Sequence, residues 1–109
     1  MGKRAGGKLK AKLRRSTLAP DQLSAFQAFS QVVFSDGAID AKSKQPIAVA
    51  VAHVTQCPDC IEGHTKAAAL AGATPQQIIE AVWIAAEMRA GAAVAHFRHA
   101  LQALNGTGK

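Results

Sequence analysis

Helix-start signals divide this chain into segments, and they constrain its fold more than any other feature. The clearest is Thr74-Pro75-Gln76-Gln77. Its threonine predicts an N-cap, its proline the first helical position, and its last glutamine a capping box. Pro58 also fits the first turn of a helix, where the missing N–H costs nothing, so Cys57 is expected at or near an N-cap.

Earlier segments show the same pattern. Apolar residues at helical spacing after Pro20 predict a first helix that stops at Ser35-Asp36-Gly37. Asp40 is expected to cap a second helix that runs to about Gln56. The alternating β-branched residues at 47–54 would also suit a strand, but the chain offers no second strand to pair with it. Length and alanine content favour a helix buried on most sides.

The later segments complete an all-α architecture of about five helices. The helix that starts at Pro58 is expected to end at Gly72, a residue that suits a helix C-terminus. The next helix is expected to break or bend at residues 89–91, before a last helix over residues 92–104. Trp83 and the phenylalanines are expected to lie in the core.

Composition indicates a core of small side chains. The chain is 49% hydrophobic but only 5% aromatic, and alanine and valine supply most of the apolar content. Such helices can approach one another closely, but each residue buries little area. Self-association is therefore expected to supply part of the burial.

The positive charge is concentrated at the N-terminus. Residues 1–15 contain seven of the thirteen basic residues and no acidic residue. We predict that residues 1–18 form a basic, disordered arm and that residues 19–106 form a single domain. The arm could contact an anionic partner, but it has no aromatic residue for base stacking, so nucleic-acid binding is not expected. No apolar run suggests a signal peptide or a membrane span, and a cytoplasmic location is expected.

The two cysteines carry the strongest functional signal. Cys57 and Cys60 are two residues apart, a spacing that allows a reversible disulfide. Their thiolates would be favoured at a helix N-terminus. His64 follows Cys60 by four residues, on the same helical face, and could exchange a proton with its thiol. No cofactor is predicted.

Two other residues could act near the thiols. His53 precedes Cys57 by four residues, and with Cys57, Cys60 and His64 it would complete a four-ligand set for zinc. It could equally be a buried, hydrogen-bonded histidine of the core. Glu87 lies in an otherwise apolar stretch, so it is either at the solvent edge or facing a site, where it could complete a proton relay.

The Cys-x-x-Cys-x-x-x-His run and its flanking helices resemble the carboxymuconolactone decarboxylase superfamily, within it the AhpD-like alkylhydroperoxidase branch. The resemblance covers about residues 22–104. It implies an AhpD-like helical fold and a homo-trimer or homo-hexamer. It also implies that Cys60 attacks a hydroperoxide, that Cys57 resolves the product into a disulfide, and that His64 is the accompanying histidine. A dithiol, thioredoxin-like or lipoyl reductant would complete the cycle.

This sequence departs from the branch at two positions. The relay glutamate of the branch corresponds to Gln45, which cannot transfer a proton as a carboxylate does. The histidine often found before the second cysteine is replaced by Asp59. His53 and Glu87 are the candidates to supply protons instead. The resemblance favours a thiol peroxidase over lactone decarboxylation. The alternatives are a general disulfide reductase or redox relay, and a zinc-bound helical interaction module.

Overall fold

The computed structural model describes residues 12–106, and these residues form helices and connections without a strand. The all-α prediction is confirmed. The chain divides after Ser35 into two compact units. The first unit holds helices α1 (Arg15–Leu18) and α2 (Pro20–Phe34). The second holds α3 (Ala41–Thr55), α4 (Pro58–Leu70), α5 (Pro75–Ala95) and α6 (Phe97–Gly106).

In the first unit, α2 begins at Pro20 and ends before Ser35, as predicted. Its aromatic residues do not form a core within the unit. Phe26 and Phe29 contact each other, with ring centroids 6.4 Å apart, and both side chains are exposed. The one-turn helix α1 was not predicted. Residues 1–11 of the predicted arm lie outside the described residues.

In the second unit, side-chain caps fix the starts of the helices. The Asp40 carboxylate accepts the Ser43 N–H at 2.7 Å, which confirms the predicted N-cap of α3. This backbone hydrogen bond lowers the pKa of Asp40 from its ordinary value. At α5, Thr74 Oγ1 accepts the Gln77 N–H at 3.1 Å, and the Gln77 side chain accepts the Thr74 N–H at 2.9 Å. The predicted capping box is therefore confirmed.

The predicted break at residues 89–91 is wrong. Helix α5 continues through Gly91 to Ala95, and the chain is interrupted at His96 before α6. A glycine inside a helix costs about 1 kcal/mol relative to alanine but retains its backbone hydrogen bonds. The helix can therefore tolerate it. Gly72, by contrast, adopts a left-handed φ of 102° and follows the end of α4, as expected.

The core of the second unit lies where α3, α4 and α5 meet. Val49, Ala68, Ala73 and Ile78 form its buried cluster, with Val82 packed against them. On α3 only Val49 and Ala52 are buried, so the expectation of a helix buried on most sides is wrong for this chain.

The expected aromatic core is also wrong. Trp83 is 70% exposed, and Phe26, Phe29 and Phe97 are exposed as well. The buried contact between the helices is made by Val49, Ala68, Ala73 and Ile78, and these exposed aromatic residues lie outside it. No helix of the described chain is long and apolar enough to cross a lipid bilayer.

Candidate functional site

The two cysteines lie at the start of α4 and are joined by a disulfide. Cys57 is the N-cap residue and Pro58 the first helical residue, as predicted. The Cys60 N–H donates to Cys57 Sγ at 3.3 Å, so this sulfur occupies the position of a capping oxygen. Cys57 is half-buried, whereas Cys60 is exposed. The pair is therefore open to a reactant mainly through Cys60.

A short reversal between α3 and α4 holds this site in place. Gln56 adopts a left-handed conformation with φ 60°, and the Cys57 N–H donates to the Ala52 carbonyl at 3.1 Å. Arg89 of α5 also donates to the Val54 carbonyl at 2.8 Å, near the end of α3. No sequence pattern indicates this contact, because the two residues are 35 positions apart. It supports the helix end immediately before the thiols.

His64 of α4 contacts Gln45 of α3. The distance from His64 Nδ1 to Gln45 Oε1 is 2.8 Å, and both residues are half-buried. Only the family resemblance, and no local sequence pattern, indicates Gln45 as a site residue. The structure brings it to the histidine that follows the thiols.

His53 and Glu87 occupy other surroundings. The His53 Nδ1–H donates to the Val49 carbonyl at 2.7 Å within the same helix. This is the bonding expected of a part-buried structural histidine. Glu87 is exposed on α5. The proposed roles of these two residues in proton transfer stay predictions.

Asp59 is exposed beside Cys60, and its carboxylate is open to solvent. The described residues contain no group of three or more histidine, cysteine or acidic side chains placed to hold a metal ion. The thiols that a zinc site would need are bonded to each other. The geometry favours disulfide chemistry over zinc binding.

An apolar groove runs between α3 and α5 on the second unit. It encloses about 590 Å³, and its lining includes Ile47, Val51, Ile84 and Met88. Each of these four side chains is exposed. This unpartnered apolar surface is large for a chain with so small a core.

Sequence comparison shows a matching protein family and several similar proteins. The sequence model of the carboxymuconolactone decarboxylase family matches residues 20–103. A Paracoccus denitrificans protein described as uncharacterized protein 4 in the cox locus is 67% identical over 81 residues, which cover 74% of this chain and 73% of that protein. An uncharacterized Cupriavidus necator protein is 39% identical over 72 residues, covering 66% and 64%.

Solved structures show the same fold. A protein from Methanobacterium thermoautotrophicum has a TM-score of 0.74 and 30% identity, covering 79% of this chain and 97% of that one. A carboxymuconolactone decarboxylase family protein from Legionella pneumophila has a TM-score of 0.66 and 30% identity, covering 87% and 85%. A Thermotoga maritima member, described as a candidate participant in an antioxidative response, has a TM-score of 0.59 and 28% identity, covering 73% and 82%.

Proposed function

The chain belongs to the carboxymuconolactone decarboxylase family, and we propose that it is a thiol-dependent hydroperoxide reductase that cycles its Cys57–Cys60 pair. The observation that carries the proposal is the disulfide at the start of α4, with one sulfur exposed. The description of the Thermotoga maritima relative agrees with an antioxidant role. Lactone decarboxylation would not need a thiol pair at this position.

The reaction begins at Cys60. Its thiolate attacks one oxygen of the hydroperoxide, so that an S–O bond forms, the O–O bond breaks and an alkoxide leaves. The alkoxide takes a proton and becomes an alcohol, while Cys60 becomes a sulfenic acid. The Cys57 thiolate then attacks the Cys60 sulfur, which forms the S–S bond and releases hydroxide, protonated to water. An external dithiol reduces the disulfide and is itself oxidised to a disulfide.

Exposure distinguishes the two sulfurs. Cys60 is exposed, so a peroxide can reach its thiol. It also lies one helical turn before His64, whose imidazole can exchange a proton with that thiol. Cys57 is half-buried and its sulfur already accepts the Cys60 N–H. It is therefore held beside the place where the sulfenic acid forms, as a resolving thiol requires.

Cys60→Ser and Cys57→Ser form a matched pair for testing these roles. We expect the reduced Cys60→Ser protein to lose peroxide consumption. The Cys57→Ser protein should consume one equivalent and accumulate a sulfenic acid on Cys60, trapped by dimedone and located by peptide mass spectrometry. Unchanged turnover in Cys60→Ser, or a sulfenic acid found on Cys57, would contradict the assignment.

The same proteins test the general disulfide reductase. Reduction of insulin disulfides and consumption of alkyl hydroperoxide are measured side by side with one dithiol reductant. Peroxide specificity predicts that the second rate exceeds the first. Rapid insulin reduction without peroxide turnover would instead favour a redox relay to a protein partner.

We also propose that the working form is a homo-trimer or homo-hexamer. Two of the four residues in the buried cluster of the second unit are alanines, whereas the groove between α3 and α5 leaves Val51 and Met88 exposed. Burying that groove against another copy would supply the apolar area that the single chain lacks.

A further inference from the structure

The contact between Gln45 and His64 determines which nitrogen of the histidine holds its hydrogen. An amide oxygen accepts hydrogen bonds and cannot donate them. With Gln45 Oε1 as the partner atom, 2.8 Å from His64 Nδ1, the bond forms in the tautomer that has its hydrogen on Nδ1. In a neutral imidazole the other nitrogen, Nε2, is then the unprotonated one.

We propose that Gln45 is a positioning residue that keeps His64 in the tautomer with hydrogen on Nδ1, so that the proton of the reaction enters and leaves through Nε2. The proposal rests on the proposed peroxidase function. It differs from a carboxylate relay, because glutamine has no proton-accepting group at neutral pH. A proton taken up by His64 therefore cannot pass on through Gln45.

Both proton transfers of the peroxide reaction take place at one nitrogen, His64 Nε2. Nε2 takes the proton of the Cys60 thiol, which breaks the S–H bond and forms an N–H bond. After the thiolate has attacked the peroxide, the same N–H gives its proton to the leaving alkoxide. His64 returns to the tautomer in which it began, and the proton count balances within one half-cycle without an acidic residue.

The position of the pair supports this role. Gln45 and His64 come from different helices, and both are half-buried, so their hydrogen bond is partly shielded from water. Val49, one turn along α3 from Gln45, and Ala68, one turn along α4 from His64, belong to the same buried cluster. The packed helices thus fix the amide and the imidazole relative to each other.

The test reads the tautomer directly, by long-range proton–nitrogen NMR of the native protein and two variants at a pH where the imidazoles are neutral. Native His64 is expected to show a protonated Nδ1 and an unprotonated Nε2. Gln45→Met keeps the length but removes the amide, and it should move His64 toward the opposite tautomer. Gln45→Glu keeps an oxygen acceptor and should restore the native tautomer. His53 is the internal control, because its Nδ1–H donates to the backbone and should not respond.

Activity gives a second measurement. Gln45→Met should slow the reaction of reduced Cys60 with hydroperoxide on the order of tenfold, since an aligned acid–base group contributes roughly 10²–10⁴-fold and misalignment removes part of that. The exposed Gln76→Met is the matched control and should leave the rate unchanged.

Two results would overturn the proposal: a native His64 with hydrogen on Nε2, or a Gln45→Met protein that keeps the native tautomer and rate. If the proposed peroxidase function is wrong but the tautomer proposal is right, the measurements give a different result. The native tautomer would then be as expected and would change in Gln45→Met, but no variant would consume peroxide.

Discussion

Val49→Ala is the substitution that most directly tests how the helices hold the site. Val49 is fully buried, with an exposed fraction of 0%, and it belongs to the cluster that joins α3 to α4 and α5. Truncation removes two methyl groups, each worth about 0.8 kcal/mol when buried. The cavity that remains adds to the loss, and the better helix propensity of alanine returns part of it, roughly 0.6 kcal/mol.

The net loss is expected to be about 2 kcal/mol in the free energy of unfolding. For a domain of this size that corresponds to a fall in Tm on the order of 10 °C. Urea and thermal unfolding, followed by far-UV circular dichroism at one fixed protein concentration, measure both quantities. Fixing the concentration matters because self-association contributes to apparent stability.

Val94→Ala is the matched control. Val94 also lies within a helix but is 59% exposed, so the same truncation should not lower the free energy of unfolding, and the helix propensity of alanine should raise it by up to about 0.6 kcal/mol. Equal losses in the two variants would refute the reasoning, because they would mean that the Val49 cluster does not hold the helices together. A confirmed loss should also weaken the His64–Gln45 hydrogen bond, visible as mixed His64 tautomers.

Two further predictions concern the glycines and the groove. Gly91→Ala should stabilise the protein by about 0.5–1 kcal/mol, because an added Cβ meets only Glu87 Oε2 at 3.7 Å. Gly72→Ala should destabilise the protein by about 1 kcal/mol or more, since the φ of 102° at this position strains any side chain. Chemical unfolding measures the free energy of unfolding of both variants, and a change of the same sign in both would contradict this account. Analytical ultracentrifugation of the native chain should show a trimer or hexamer that Val51→Asp dissociates and Val94→Asp does not. A native monomer at all concentrations would exclude the self-association.

The features of the fold that could be predicted from the sequence are those that depend on neighbouring residues along the chain. The capping box at Thr74 and the N-cap at Cys57 were correctly predicted because each depends on residues within one turn. The break at Gly91 was wrong, since a local propensity of about 1 kcal/mol is outweighed by the continuity of a long helix. Trp83 was wrongly placed in the core because burial depends on which helix faces meet, and no pattern within one helix shows that.

The same distinction applies to the site. The thiols and His64 form a local pattern, so they could be named from sequence. The bond from Gln45 to His64 spans 19 positions and two helices, and spacing alone could not have shown it. The resemblance marked position 45 as a departure from a carboxylate relay. The structure shows that the amide nevertheless contacts the histidine.

The placement of the thiols at the start of a helix has a further consequence for the proposed redox cycle. The Cα atoms of Cys57 and Cys60 are 5.2 Å apart, which is within the usual range of roughly 4.4–6.8 Å for disulfides and is also the spacing of residues three apart on a helix. The N-cap contact to Cys57 Sγ is present in the disulfide form, and a thiolate at the same place would accept the same N–H. Both redox states can therefore use one backbone conformation, so an external reductant needs to reach only the exposed Cys60 sulfur, without unwinding α4.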